Sequence, residues 1–134
     1  TALVGEFIDR GYGAKYMLWK DESTRIKSVV NDVDSYEPLM QELKTIPVLY
    51  IDDFFKTYVD DRGVRVPPTQ GDLKLAFEII NHRYIHGKIT IISSELTIKE
   101  IIACDEAVGS RIFQRTKKYQ LSLSKDQNKN QRLK

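Results

Sequence analysis

Residues 48–51 read VLYI, four consecutive apolar residues closed off by two adjacent acids, Asp52 and Asp53. A continuous apolar run this short suits a strand buried on both faces, and such strands belong to parallel sheets covered by helices. A second run of the kind, KITIIS at residues 88–93, lies further along, and an earlier one at residues 14–19 follows a turn at Tyr12 and Gly13. The stretches between them have helical character. Residues 1–10 place Leu3, Phe7 and Ile8 on one side, with Gly11 as the stop. Asp21 or Ser23 can cap the stretch that follows, and residues 35–44 offer a further helix, closed by Pro47. From 70 to 86 Leu73, Phe77, Ile80 and Tyr84 recur at helical spacing, with Gly87 at the end. Thr97 and Glu100 have the spacing of a capping box opening a helix to 104, and another helical stretch runs from 105 to 116. Residues 57–72, with Gly63, Pro67, Pro68 and Gly71, read as a surface loop. YQLSLS, residues 119–124, alternates as a half-exposed strand does. Helices alternating with short apolar strands imply a three-layer α/β fold with a mainly parallel sheet.

The chain of 134 residues is one domain's worth, residues 1–124, followed by a polar basic tail, 125–134. No apolar stretch approaches the roughly 20 residues that cross a bilayer, so no membrane partner is expected. The formal charge of +2 is too small for a polycation that coats nucleic acid, and any such contact must be local. A single cysteine, Cys104, makes neither an internal disulfide nor a zinc cage, and no signal peptide is evident, which points to the cytoplasm. Cys104 itself reads as a small buried hydrophobe. The opening helix has neither an initiator Met nor a cap, so the expectation is an internal piece of a longer protein.

In parallel α/β sheets ligands sit at the carboxyl ends of strands, where Asp52 and Asp53 lie. Two carboxylates there match the needs of nucleotide hydrolysis: one to hold magnesium, the other to orient or deprotonate a water. The same pattern also arises wherever a strand enters a wet turn. IISSEL, residues 91–96, is a second apolar strand with a polar end, carrying Ser93, Ser94 and Glu95. In DEAVGSRIFQRT, residues 105–116, Arg111 follows a Gly-Ser pair and Arg115 lies one turn on; a solvated basic face has the same appearance.

Taken in order, VLYIDDFFK, FEIINHRYIHGKITIISSEL and DEAVGSRIFQRT resemble the AAA+ ATPase core of helicase loaders of the DnaC/DnaI type, especially their phage and Gram-positive versions. The resemblance covers most of the chain and implies a P-loop NTPase fold that begins just after the Walker A loop, with the first strand missing as well. It makes residues 48–53 the Walker B strand, with Asp52 on Mg2+ and Asp53 where the family more often has a glutamate that polarises water. Ser94 and Glu95 match the sensor 1 region, Glu95 standing where asparagine is common. Arg111 matches the arginine finger, which implies self-association, and Arg132 resembles the sensor 2 arginine. The implied cofactors are ATP and Mg2+, and the implied partners a replicative helicase and single-stranded DNA. Without the phosphate loop, this stretch alone is expected to hold Mg-ATP poorly and to be inactive. The ATPase helper of a transposase, of the IstB type, shares this core, and a degenerate AAA+ module that only binds partners is a non-enzymatic alternative.

Smaller features are read more plainly. Glu78, His82 and His86 are spaced to meet on one helix face, but a polar face is the simpler account. The resemblance gives Arg83 a structural or subunit-contact role, and the helical period gives Tyr84 a core position. Phe54 and Phe55 are either core or a partner-facing patch. Lys117, Lys118, Lys125, Lys129, Arg132 and Lys134 make the carboxyl end basic, as a solvated tail or a DNA contact.

Overall fold

The computed structural model of the chain describes residues 2–116. The elements are α1 (Ala2–Asp9), β1 (Ala14–Leu18), α2 (Trp19–Ser28), α3 (Val33–Thr45), β2 (Val48–Asp52), α4 (Gln70–Ile85), β3 (Ile89–Ile92), α5 (Ile98–Cys104) and α6 (Glu106–Thr116). Among the described residues the sheet has the order β1-β2-β3 and is parallel throughout. The expected α/β class and parallel sheet are found. The strand expected at 119–124, the basic tail and Arg132 lie outside the described residues.

β2 is the middle strand, so a neighbour on each side satisfies its backbone and the run needs no polar face. Val48, Leu49 and Ile51 are fully buried. Leu49 and Ile51, with Met17 of β1 in register opposite Ile51, face a core filled by Met40 and Leu43 of α3, Ile79 of α4, Ile101 of α5 and Ile112 of α6. The opposite face carries Tyr16, Tyr50 and Asp52, only half-buried.

Several boundaries move for tertiary reasons. Trp19, expected in the strand, opens α2 with Leu18 at its N-cap and no side-chain cap; Asp21 and Ser23 lie inside the helix. Its indole packs edge-on against Phe54 and Phe55, at 5.1 and 5.7 Å between ring centroids, and this burial fixes the turn. α3 begins at Val33 and carries Pro38 on its exposed side, where the Asp34 carbonyl freed by the missing N–H can meet water. α4 starts from a reciprocal capping box between Thr69 and Asp72, with the Lys27 ammonium 2.6 Å from the Asp72 carboxylate.

The inward face of α4 is the expected one only in part: Ile80 is in the core and Leu73 packs against it. Leu75, Ala76, Ile79, Ile80 and Arg83 are buried, whereas Phe77 is 38% exposed and Tyr84 half-buried. Arg83 takes the core position. It donates to the carbonyls of Leu43 (2.9 Å), Ile46 (2.7 Å) and Ile89 (2.6 Å), to the Thr90 hydroxyl (2.8 Å) and, at 3.4 Å, to Pro47. It thereby ties the end of α3 to the beginnings of β2 and β3, and its expected structural role is what the geometry displays.

Residues 57–69 are more ordered than a plain surface loop. Val59 and Arg65 form an antiparallel bridge, and the Asp60 carboxylate accepts the N–H groups of Arg62 and Val64, both at 2.9 Å. Gly109 lets α5 and α6 touch: a Cβ there would stand 2.6 Å from the Ile102 Cα.

Candidate active site

β2 and β3 end side by side, and the backbone continues their pairing one step further. The Ser93 N–H donates to the Ile51 carbonyl at 3.0 Å and the Phe54 N–H to the Ser93 carbonyl at 2.8 Å. This sets the Ser93 hydroxyl against Asp52, donating to Oδ1 at 2.5 Å, while Tyr16 of β1 donates to Oδ2, also at 2.5 Å. Both carboxylate oxygens are thus engaged by neutral hydroxyls. The Ser93 bond, then the Tyr16 bond, holds the Asp52 carboxyl below its ordinary value of 3.8, so it is ionised across the physiological range. The same bond, with burial and the carboxylate charge behind it, pushes the Tyr16 phenol up to about 12.

Asp53 adopts a left-handed backbone, φ 52°, as does Phe55, φ 61°. Asp tolerates this region; for a buried Phe it is strained. The strain is held by packing, because the Phe54 and Phe55 rings stack at 4.0 Å and both are buried with Trp19. Both phenylalanines are core residues, which decides between the two sequence readings. The turn swings Asp53 outward, leaving its side chain 37% exposed and 4.0 Å from Lys56 Nζ.

Ser94 and Glu95 arrive at the same edge but are occupied. The Ser94 hydroxyl donates to the Phe54 carbonyl at 2.8 Å and accepts from the Leu96 N–H at 3.0 Å. Glu95 meets Arg65 at 2.9 Å and Lys56 at 3.4 Å, which ties residues 57–69 to the end of β3. The Arg65 bond holds the Glu95 carboxyl below its usual range against the opposing effect of burial, and Lys56 adds to the lowering.

Arg111 stands apart from this group. On α6 it donates from Nε to Asn81 Oδ1 at 2.5 Å, and its guanidinium lies 5.6 and 5.7 Å from the ring centroids of Phe77 and Tyr84. With Lys88, Arg115 and several isoleucines it lines a groove of about 210 Å³ alongside β3. The structure gathers Asp52, Asp53, Ser93, Ser94 and Glu95 and does not add Arg111 to them. Tyr16 and Ser93 are the partners of Asp52 to which the sequence assigned no role; that Tyr16 shares the face of Asp52 follows from the register of β1 against β2, which no sequence signal announces.

Among the described residues no group of three or more His, Cys, Asp and Glu side chains is placed to hold a metal, the Glu78, His82 and His86 face included. His82 and His86 stack on each other at 4.1 Å, and Glu78 is engaged by Tyr36 and Lys44. One ionised carboxylate with a second beside it fits Mg2+, which binds through one or two carboxylates and completes its shell with water and phosphate oxygens. No glycine-rich turn joins a strand to a helix among the described residues, so they supply no phosphate cradle. No helix among the described residues is long and apolar enough to cross a membrane.

No family model matches the chain. It is 37% identical over 86 residues to the uncharacterized protein YqaM of Bacillus subtilis (strain 168), which covers 64% of this chain and 26% of that protein. It is 34% identical over 89 residues to the phage-like element PBSX protein XkdC of the same organism, covering 66% of this chain and 32% of that one. The chain thus spans about a quarter to a third of the length of these curated relatives. Among solved structures it resembles AMPPCP-bound DnaA from Aquifex aeolicus, with a TM-score of 0.64 at 17% identity over 92% of this chain and 41% of that one. The replication initiator DnaA bound to AMPPCP and single-stranded DNA matches with a TM-score of 0.61 at 18% identity, over 92% and 41%. A DNA replication initiation factor gives 0.60 at 18%, over 91% and 41%. The chain has the α/β fold of AAA+ P-loop domains such as that of DnaA.

Proposed function

We propose that the chain is the Walker B and sensor portion of an ATP-binding and hydrolysing replication protein that loads or remodels a replicative helicase. The observation that carries this reading is the ionised Asp52, clamped by two hydroxyls at the end of the central strand with Asp53 turned outward beside it, in a fold shared with nucleotide-bound domains. In this reading Asp52 holds Mg2+ and Asp53 orients the attacking water. The ion, when bound, neutralises charge on the phosphates. Ser94 and Glu95 stand where nucleotide state is sensed, and the tether from Glu95 to Arg65 and Lys56 would carry that state into residues 57–69. Arg111, held against Asn81, Phe77 and Tyr84 and not in the Asp52 group, would serve a neighbouring subunit as an arginine finger, with self-association completing the site. Arg132 is proposed as the sensor 2 arginine, and the helicase and single-stranded DNA as partners, on the resemblance of the motifs and the likeness to a domain bound to single-stranded DNA.

The test is steady-state ATP hydrolysis by the full protein, in which Asp52→Asn is expected to remove turnover. Unchanged turnover would refute the role of Asp52. Stimulation by a cognate helicase favours loading, and stimulation by a transposase the IstB-like alternative.

A further inference from the structure

We propose that a second copy of this chain docks on the outer face of α4, placing the acidic N-terminal end of its α3 in the groove there. This deepens the self-association proposed above, on which it rests; the residues that carry it are neither Asp52 nor Arg111. The groove, of about 390 Å³, runs along α4 beside the end of α3. Lys74, Glu78, Asn81 and Ile85 line it at helical spacing, with Phe77 beside them and Lys44 reaching in from α3. Ile85 is 65% and Phe77 38% exposed, on a helix whose core side is already filled by other residues. Two large apolar side chains open to water on one rigid face mark a contact surface, because packing within the chain makes no use of them there. Glu78 pairs with Lys44 at 2.8 Å, while Lys74 has no ion-pair partner among the described residues. The groove is thus apolar with a cation to spare.

The N-terminal end of α3 is its complement. Residues 28–43 carry four acids and no Lys, Arg or His. Asp34 and Glu37 are exposed and have no ion-pair partner among the described residues, and Val30 and Val33 beside them are 52% and 66% exposed. Acids at a helix start have a local reason to be there, since the helix dipole favours them. A valine in water at the first position of α3 has none, because it serves neither the core nor helix propensity. Acidic ridge and basic groove both belong to one packed unit, in which Tyr36 and Lys44 of α3 meet Glu78 of α4. The helix rise puts Val33 and Lys44 about 16 Å apart, so the two surfaces come face to face only between copies. Phe77 and Asn81 also hold Arg111, the one under its guanidinium and the other at its Nε. A copy seated in the groove therefore reaches the side chains that set the direction of that arginine.

The experiment measures self-association of the full protein by sedimentation velocity, with and without AMPPCP and Mg2+, and circular dichroism checks that each variant is folded. Ile85→Ser is expected to weaken self-association about tenfold, the share of one large apolar side chain. Glu37→Lys and Lys74→Glu each set like charges face to face, and each is expected to weaken it about tenfold or more. An equimolar mixture of those two is expected to recover to within about threefold of the unaltered protein, because opposite charges face one another again. Unchanged self-association in all three variants, or losses with no recovery in the mixture, would overturn the pairing of these surfaces and leave self-association standing. Losses in Ile85→Ser and Lys74→Glu but not in Glu37→Lys would give the groove a different occupant and overturn the assignment of α3. A full protein that stays a single copy, with and without AMPPCP and Mg2+, would overturn the self-association itself, and these surfaces with it.

Discussion

Arg83→Met asks whether one buried cation is the joint between α3, α4 and the sheet. Arg83 is fully buried and, among the described residues, meets no carboxylate; its donors go to carbonyls and one hydroxyl, four of them within 2.9 Å. Two of those carbonyls, Leu43 and Ile46, lie at the end of α3, where the helix has no acceptor-satisfying N–H of its own to offer. The Leu43 bond is buried and the other three are part-buried; at about 1 kcal/mol each, the low end of the cost of a buried acceptor left without a donor, the four give about 4 kcal/mol. Methionine recovers some packing and avoids the desolvation of the guanidinium, which burial has already pulled down to about 10. The net loss is therefore set at about 3 kcal/mol, the acceptor total less what methionine recovers. That is a large share of the roughly 5–15 kcal/mol by which a domain is stable. In urea unfolding followed by circular dichroism, the midpoint should drop by about 2 M or more. Arg83→Lys should fall between the two, because an ammonium cannot span the same carbonyls as a planar fork. A loss below about 1 kcal/mol for Arg83→Met, on the low side of a single unsatisfied acceptor, would refute the reasoning.

Two further predictions use the turn after β2 and the α4 surface. Asp53→Glu should cost about 1 kcal/mol in thermal or denaturant unfolding because the longer side chain tolerates φ 52° less well, while Asp53→Gly should not; equal stability of Asp and Glu would contradict this. His82 is held below its ordinary value of 6.5 by desolvation and by the positive charge of neighbours His86, Lys44 and Arg83, although a hydrogen bond to the Lys44 backbone opposes the shift. Its unfolded form therefore takes up a proton first as pH falls through about 6.5, and stability present above that pH is lost below it. His82→Gln should flatten this part of the stability profile between pH 7.5 and 5.5, and an identical slope in both proteins would count against it.

The sequence made β2 visible because its buried position is written as an unbroken apolar run, and β3, half-buried with Thr90 inside it, was legible from three isoleucines rather than from complete burial; the acids were visible because they interrupt the β2 run. Helix ends with local chemistry were legible too, as at Thr97 and Glu100, where the capping box forms as expected. What escaped were features that depend on partners far along the chain. Arg83 occupies a core position that a hydrophobic period assigns to apolar residues, because its acceptors come from positions 36 to 40 residues earlier and from the start of β3. That choice rotates the buried face of α4 away from Phe77 and Tyr84. Trp19 joined α2 because Phe54 and Phe55 wait for it. Tyr16 could be linked to Asp52 only once the register of β1 against β2 was known, and the left-handed Asp53 has no glycine to announce it.

The central claim is that Asp52 is the carboxylate of a magnesium-nucleotide site. The most direct measurement is anomalous diffraction from crystals of the full protein grown with AMPPCP and Mn2+ as a heavier stand-in for Mg2+. The account predicts a single Mn2+ peak with Asp52 in contact with the ion, directly or through one of its waters, and with Tyr16 and Ser93 still bonded to the two carboxylate oxygens. A nucleotide-bound Mn2+ with Asp52 outside its hydration shell would contradict it.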